Sequence, residues 1–393
     1  MTALDSGFLD VTHTQRRRSC QVCDCSEVRH LFNNEMAALA QVDLSYQVGD
    51  CPQCGFSFAY QLPEDSTYQS YYRTLSKYDV SATLSQSDHL RFDSLVRLFS
   101  AYLEPEALIV DIGCGEGALL SQLSAAGFSR LYGVDPAPNA PTVAQIKYGL
   151  QNVRSGFFYN AAEVVPLSQA DGICIAAVLE HLPNLRADLQ QLLGQLKPGC
   201  NLVIEVPALE LFGTGEGEPF GEFSLEHVNY FSRDSLSQLM ASLGWQCKHS
   251  EYLVFPQWQT GSVLSVFAKT IAADNPTTFS VPRLDGYLQS CSEQVLAMLQ
   301  QVPGNDLIVW GAGSHSARIL PLLKSIPGLR VRALVDTNSN LTGKTLGEWT
   351  IQLPSAIAKL PEMLVLVSSF RTQKEIAQSL RQNYPNPLLL LYR

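Results

Sequence analysis

The chain has 393 residues, 46% of them apolar, and a net charge of -10 from 27 Lys+Arg against 37 Asp+Glu. That length implies two or three domains with ordinary globular cores. The acidic balance argues against a nucleic-acid partner, which needs clustered positive charge. No apolar run approaches the roughly 18 residues that cross a membrane. The opening residues MTALDSGFLD lack a secretory pattern, so a cytoplasmic location is expected.

Arg16, Arg17 and Arg18 form the one dense basic run and read as a short solvated tail. Beyond it, Cys20-x-x-Cys23 and Cys51-x-x-Cys54 are two thiolate pairs separated by 27 residues. Each pair can place two sulfurs on one side of a tight turn, and two such knuckles complete a tetrahedron around structural Zn²⁺. Gly55 suits the reversal after the second pair. Cys25 competes with Cys23 for one position. A redox dithiol would sit beside a thioredoxin-like βαβ pattern, and none is here.

From about residue 89 to 270, short apolar runs alternate with helical patterns. ALIVDIGCGEG reads as a buried strand entering a glycine-rich turn, followed by helix ALLSQLSAAG and strands LYGVD, DGICIAAVLEH and NLVIEVP. Such alternation implies a parallel sheet covered on both faces. DSLSQLMASLGW is an amphipathic helix with Asp234 placed to cap its start. The turn carries Asp111, Gly113, Gly115 and Gly117, and Asp135 ends the next strand. Glycines allow close backbone approach to a ligand, the helix start offers free N–H groups, and the second acid can accept from ribose hydroxyls. An Asp stands where a dinucleotide site has its first Gly, and the third Gly comes one position early for G-x-G-x-x-G.

Together with VLEHLPN, which holds Glu180 and His181, DIGCGEG and GVDP resemble the class I methyltransferase superfamily. The resemblance implies a seven-stranded sheet and S-adenosylmethionine bound around Gly113, Gly115 and Asp135, with Asp111, Gly117, Glu180 and His181 as further cofactor-binding candidates. Downstream, EHVNYFS groups Glu226, His227 and Tyr230 in a loop after a strand. His227 reads either as a general base oriented by a carboxylate or as a structural residue bonded to backbone.

After the polar stretch ADNPTTFSVP comes a bridging helix, LDGYLQSCSEQVLAMLQQ, and then a third zone that repeats the α/β logic. IVWGAGSHSARIL places Gly311 and Gly313 between strand and helix, with His315 and Arg318 as candidate contacts to a substrate phosphate. Asp336 ends the following strand, and Ser316 stands where a third Gly belongs. A plain scaffold turn explains these glycines equally well.

The whole order, a zinc module (1–88), a methyltransferase domain (89–270) and a C-terminal Rossmann-like domain (271–393), resembles the nucleotide-sugar C-methyltransferases. That resemblance implies a nucleotide-linked 4-keto sugar between the last two domains. It makes His227 the group that polarises the keto oxygen or moves the proton, with Glu226 in support. The family's functional Tyr is Ser224 here, and Leu225 replaces a His, leaving Tyr230 as the nearby phenol. O-methylation of a hydroxyl and a non-catalytic binding protein stand as alternatives.

Overall fold

The computed structural model describes residues 15–74, 84–214, 217–255, 260–269, 284–370 and 372–392. The opening residues 1–10 and the stretch 273–282 lie outside them. The first unit is an antiparallel sheet of β1 (Gln15–Arg17), β2 (Arg29–Asn34), β3 (Tyr46–Asp50) and β4 (Ser57–Pro63), in the order β1-β4-β3-β2, followed by α1 (Asp65–Thr74).

The middle unit opens with α2 (Gln86–Tyr102), whose Ser85 and Asp88 form a reciprocal capping box. Then follow β5 (Leu108–Ile112), α3 (Ala118–Ala125), β6 (Arg130–Asp135), α4 (Ala140–Tyr148), β7 (Val153–Ser155), α5 (Ala161–Val164), β8 (Gly172–Ala176), α6 (Leu185–Leu193) and β9 (Asn201–Pro207). The short β10 (Asn229–Tyr230), α7 (Arg233–Ser242), β11 (Trp245–Phe255) and β12 (Thr260–Lys269) complete it. The sheet has seven strands in the order β11-β12-β9-β8-β5-β6-β7. It is not wholly parallel: β12 runs antiparallel to both β9 and β11. This edge hairpin escaped the sequence reading because β11 leaves alternate residues exposed, unlike the fully buried β5 and β8. The start of α7 also differs from expectation. Ser232 is its cap, with its hydroxyl accepting from the Ser235 N–H, while Asp234 lies in the first turn, where its charge complements the helix dipole.

The third unit starts with α8 (Asp285–Leu299) and contains β13 (Asp306–Trp310), α9 (Ser314–Leu323), β14 (Arg330–Val335), β15 (Thr345–Leu346), β16 (Trp349–Gln352), β17 (Leu364–Val367), α10 (Gln373–Asn383) and β18 (Leu388–Leu390). Its sheet order is β15-β16-β14-β13-β17-β18, parallel except for the β15–β16 hairpin.

The first unit is wedged into the other two. β10 adds itself to β4, so one strand of the middle segment belongs to the N-terminal sheet. Leu44 and Tyr46 share a core with Phe223 and with Leu320 of α9, while Phe56 and Phe58 pack with Phe231 and Leu189. Two members of the arginine run, Arg16 and Arg18, belong to this seam, while Arg17 stays exposed. Arg18 is buried and donates to the carbonyls of Ala59, Pro183 and Val228, and Arg16 donates to Asn184 and Asp65. A guanidinium has five donors in a planar fork, so it can satisfy several loop carbonyls where two units meet. Burial lowers the Arg18 pKa to about 9.

Candidate functional site

The glycine turn follows directly from β5. Gly113, Gly115 and Gly117 all have left-handed φ, 80°, 51° and 84°. A Cβ on Gly113 would come 2.4 Å from Val178 Cγ2, so both conformation and space require glycine there. Above Gly115 nothing lies within 4 Å of the Cβ position. Asp135, at the end of β6, clasps the turn: Oδ2 accepts from the Gly115 N–H and Oδ1 from the Ala137 N–H, both at 2.8 Å. Each oxygen has a further lone pair, and the open space over Gly115 is where a ribose-bearing ligand would approach it.

Asp111 is buried in β5, and burial pushes its pKa to about 7 although the Cys174 thiol donates to it. It stands one residue before the end of β5, and its carboxyl is as buried as that of Asp135, each residue being 3% exposed. A carboxyl whose folded pKa is raised stabilises the fold fully below its unfolded value, near 4, and loses that contribution as pH rises towards 7. Asp111→Asn is accordingly expected to raise the stability of the ligand-free protein at pH 8 by roughly 2–4 kcal/mol, and hardly at all at pH 4. Denaturant melts at the two pH values test this; an equal change at both would contradict it.

Beside the turn opens a cavity of about 1250 Å³. Val178, which packs on Gly113, lies between two residues that line it, Ala177 and Glu180. The carboxyl ends of β8 and β9 form one wall, and residues 310–311, 313–315, 336–337 and 368–370 of the third unit form another. Glu180, His181, Glu226 and His227 all face it. The His181 and His227 rings meet edge to face with centroids 4.9 Å apart. His227 Nδ1 is 3.1 Å from the Glu222 carbonyl, and His181 Nδ1 is 3.2 Å from the Glu226 carbonyl. Burial pushes the Glu180 pKa up to about 8, with Glu205 adding to the effect.

Tyr230 does not join this group. It is buried outside the cavity lining, and its hydroxyl donates to the His227 carbonyl and bonds the Tyr46 hydroxyl. The phenol that does reach the cluster is Tyr71 of α1, which donates to Glu226 Oε1. Nothing in the local pattern around Tyr71 marks it, because the contact spans 155 residues. Ser224 keeps a structural part instead: its Oγ accepts from the N–H groups of Glu226 and His227 and shapes their loop. Arg91 of α2 was also unforeseen. It lines the cavity and pairs with Glu205, which further accepts from Ser262.

Residues 85–250 match the family described as "Methyltransferase domain". Residues 85–250 form a methyltransferase domain. Among curated relatives, the chain is 28% identical over 108 residues to the mitochondrial ubiquinone biosynthesis O-methyltransferase of Dictyostelium discoideum, covering 24% of this chain and 34% of that protein. It is 27% identical over 174 residues to the tRNA U34 carboxymethyltransferase of Idiomarina loihiensis, covering 40% and 54%. The chain thus spans about a third to a half of the length of these relatives. Among solved structures it is similar to the magnesium protoporphyrin IX methyltransferase of Synechocystis PCC 6803 with bound SAH, at 16% identity and TM-score 0.40 over 53% of this chain and 100% of the other. It is likewise similar to the Burkholderia thailandensis 1,6-didemethyltoxoflavin-N1-methyltransferase, at 17% and 0.39 over 56% and 98%.

Across the cavity from the methyltransferase domain, the third unit repeats its clasp. Asp336 Oδ2 accepts from the Ala312 N–H and Oδ1 from the Asn338 N–H, as Asp135 does with Gly115 and Ala137. Gly311 has φ 118° and no room for a Cβ beside the Ser368 carbonyl, whereas Gly313 opens to free space. Ser316 closes the turn by donating to the Gly311 carbonyl. His315 lines the cavity with Nδ1 on Ser368 Oγ, and burial lowers its pKa to about 3, so it is neutral. Arg318 does not reach the cavity lining. It is buried against Phe220 and donates to the Phe223 carbonyl, tying α9 to the loop that carries His227.

At the far end of the N-terminal sheet, Cys20, Cys23, Cys51 and Cys54 place their sulfurs within 4.8 Å of one another. The Cys20–Cys54 and Cys23–Cys51 separations are both 3.5 Å. Four thiolates about 2.3 Å from one zinc lie roughly 3.8 Å apart, so the quartet fits the ion with small adjustments. Cys25 falls outside it, its sulfur 3.8 Å from the Glu27 carbonyl. Among the described residues no helix is long and apolar enough to cross a membrane.

Proposed function

We propose that the protein is an S-adenosylmethionine-dependent methyltransferase whose acceptor is a nucleotide-linked keto sugar held in the cavity between the methyltransferase domain and the C-terminal unit. The supporting observation is that one cavity is lined both by Glu226 and His227 and by the second glycine turn, Gly311 to Gly313, with its Asp336 clasp. The bound cofactor would supply an electrophilic methyl group on its sulfonium. The chain then has to orient the acceptor carbon and manage the proton it loses as the new carbon–carbon bond forms and the carbon–sulfur bond breaks. Gly113, Gly115 and Asp135 would hold the cofactor. The start of α9, beside Gly313 and Ser314, offers N–H groups to the nucleotide phosphates. His227 and His181 face the acceptor's reacting end and stabilise the anion that forms there.

We also assign structural Zn²⁺ to Cys20, Cys23, Cys51 and Cys54; four protein ligands leave no open position for chemistry. Four cysteines placed for zinc suit a reducing cytoplasm, and the acidic net charge speaks against a nucleic-acid partner. A second reading, O-methylation of a sugar hydroxyl, is favoured by one feature: Ser224 spends its hydroxyl on backbone and supplies no phenol. Incubation with methyl-labelled cofactor and a pool of nucleotide-linked sugars, followed by mass spectrometry, decides between them. Label on a carbon beside a carbonyl is the expected result. Label on oxygen would support the second reading, and no labelled sugar from either class would contradict both.

A further inference from the structure

Carboxylates dominate the interdomain cavity. Among the described residues its lining holds eight Asp or Glu side chains and one guanidinium, Arg91, which already pairs with Glu205. Glu180 stands out among the acids. It is 2% exposed, and its Oε2 has no hydrogen-bond partner among the described residues. Ionising such a buried carboxyl is costly, so it holds its proton until a donor or cation comes to the unpaired oxygen.

The two neighbouring imidazoles are prepared in matching fashion. Each Nδ1 lies against a backbone carbonyl, that of Glu226 for His181 and that of Glu222 for His227. A carbonyl only accepts, so in the neutral rings Nδ1 carries the hydrogen and Nε2 keeps its lone pair. Metal-bound histidines are held the same way, with the second ring nitrogen donating to a carbonyl or carboxylate and fixing tautomer and orientation. His181 Nε2 is 3.9 Å from Glu180 Oε1, and one ligand atom from each of Glu180, His181 and His227 lies within 4.8 Å of the others. Closing such a set around an ion with bonds of about 2.1 Å needs only side-chain movements of roughly an ångström.

We propose that Glu180, His181 and His227 form a second metal site, distinct from the cysteine quartet, which takes one divalent transition-metal ion and leaves coordination positions open to the cavity. Two imidazoles and one carboxylate select ions such as Mn²⁺, Fe²⁺, Co²⁺ or Zn²⁺ over Mg²⁺ or Ca²⁺. The inference deepens the functional reading and rests on it for purpose. A cation here would bind an acceptor oxygen and stabilise the anion, so both imidazoles act as ligands and Glu226, which lines the same cavity, is left to accept the proton.

Cobalt titration of the full-length chain, produced in cobalt-supplemented medium so that Co²⁺ in place of Zn²⁺ fills the cysteine quartet as it folds, tests this without reference to turnover. Co²⁺ in the cysteine quartet gives intense sulfur charge-transfer bands, whereas Co²⁺ on nitrogen and oxygen gives only weak visible bands. The expected result is two equivalents, one of each kind. Glu180→Gln and His227→Asn should each weaken the second equivalent by more than about tenfold, while the unchanged thiolate bands certify the fold. Binding that stops at one thiolate-bound equivalent up to millimolar Co²⁺ overturns the site. So does a second equivalent that both variants keep at full affinity. A methyl-transfer assay on the same samples separates the two claims: turnover without the second equivalent removes the metal site alone, and a second equivalent without turnover removes the functional reading alone.

Discussion

Cys51→Ser is expected to release the zinc, collapse the N-terminal sheet and abolish methyl transfer together. Cys51 is buried within the quartet, and its carbonyl accepts from the Gly55 N–H to close the second knuckle. The segment 15–63 has few residues with which to build a core of its own, and metal binding to such modules contributes on the order of 10 kcal/mol to folding. The damage should travel because the module carries parts of the catalytic loop. β4 pairs with β10, Arg18 holds the Val228 carbonyl, and Tyr71 holds Glu226, one residue from His227. Cys25→Ser serves as the matched control and should keep both metal and activity, since its sulfur lies outside the quartet. Metal analysis and thermal melts read both variants. A Cys51→Ser protein that retains one zinc and the parental melting temperature would refute the assignment.

His227→Asn is expected to lower kcat by about 10²–10⁴-fold while cofactor affinity stays within about twofold. The imidazole faces the interdomain cavity, and the turn that would bind the cofactor is built from other residues, Gly113 to Gly117 and Asp135. Asparagine keeps a donor for the Glu222 carbonyl and removes the Nε2 lone pair. A kcat near that of the parent would dismiss His227 from the chemistry. Weakened cofactor binding in step with turnover would instead make it a structural residue.

What could be read from the sequence was what spacing alone determines. The glycine turn, Asp135 one strand later and the two cysteine pairs are local patterns, and the chain brings each together over short distances. The features that were missed depend on partners far away along the chain. Arg18 is bound by carbonyls at positions 59, 183 and 228, Tyr71 reaches Glu226, and Arg91 meets Glu205. Tyr230 illustrates the same limit from the other side. It is three residues from His227, yet β10 joins the N-terminal sheet and buries the phenol against Tyr46. The arginine run misled because charge density predicts solvent, whereas a seam rich in loop carbonyls can bury a guanidinium.

The proposed function requires that the turn at 111–117 and Asp135 hold S-adenosylmethionine. Calorimetric titration of that cofactor into the purified chain tests it directly. One equivalent is expected to bind, with an affinity that falls by roughly tenfold to a hundredfold in Asp135→Ala, equivalent to about 1–3 kcal/mol from lost hydrogen bonds. No heat at saturating cofactor, or an affinity indifferent to Asp135, would contradict it.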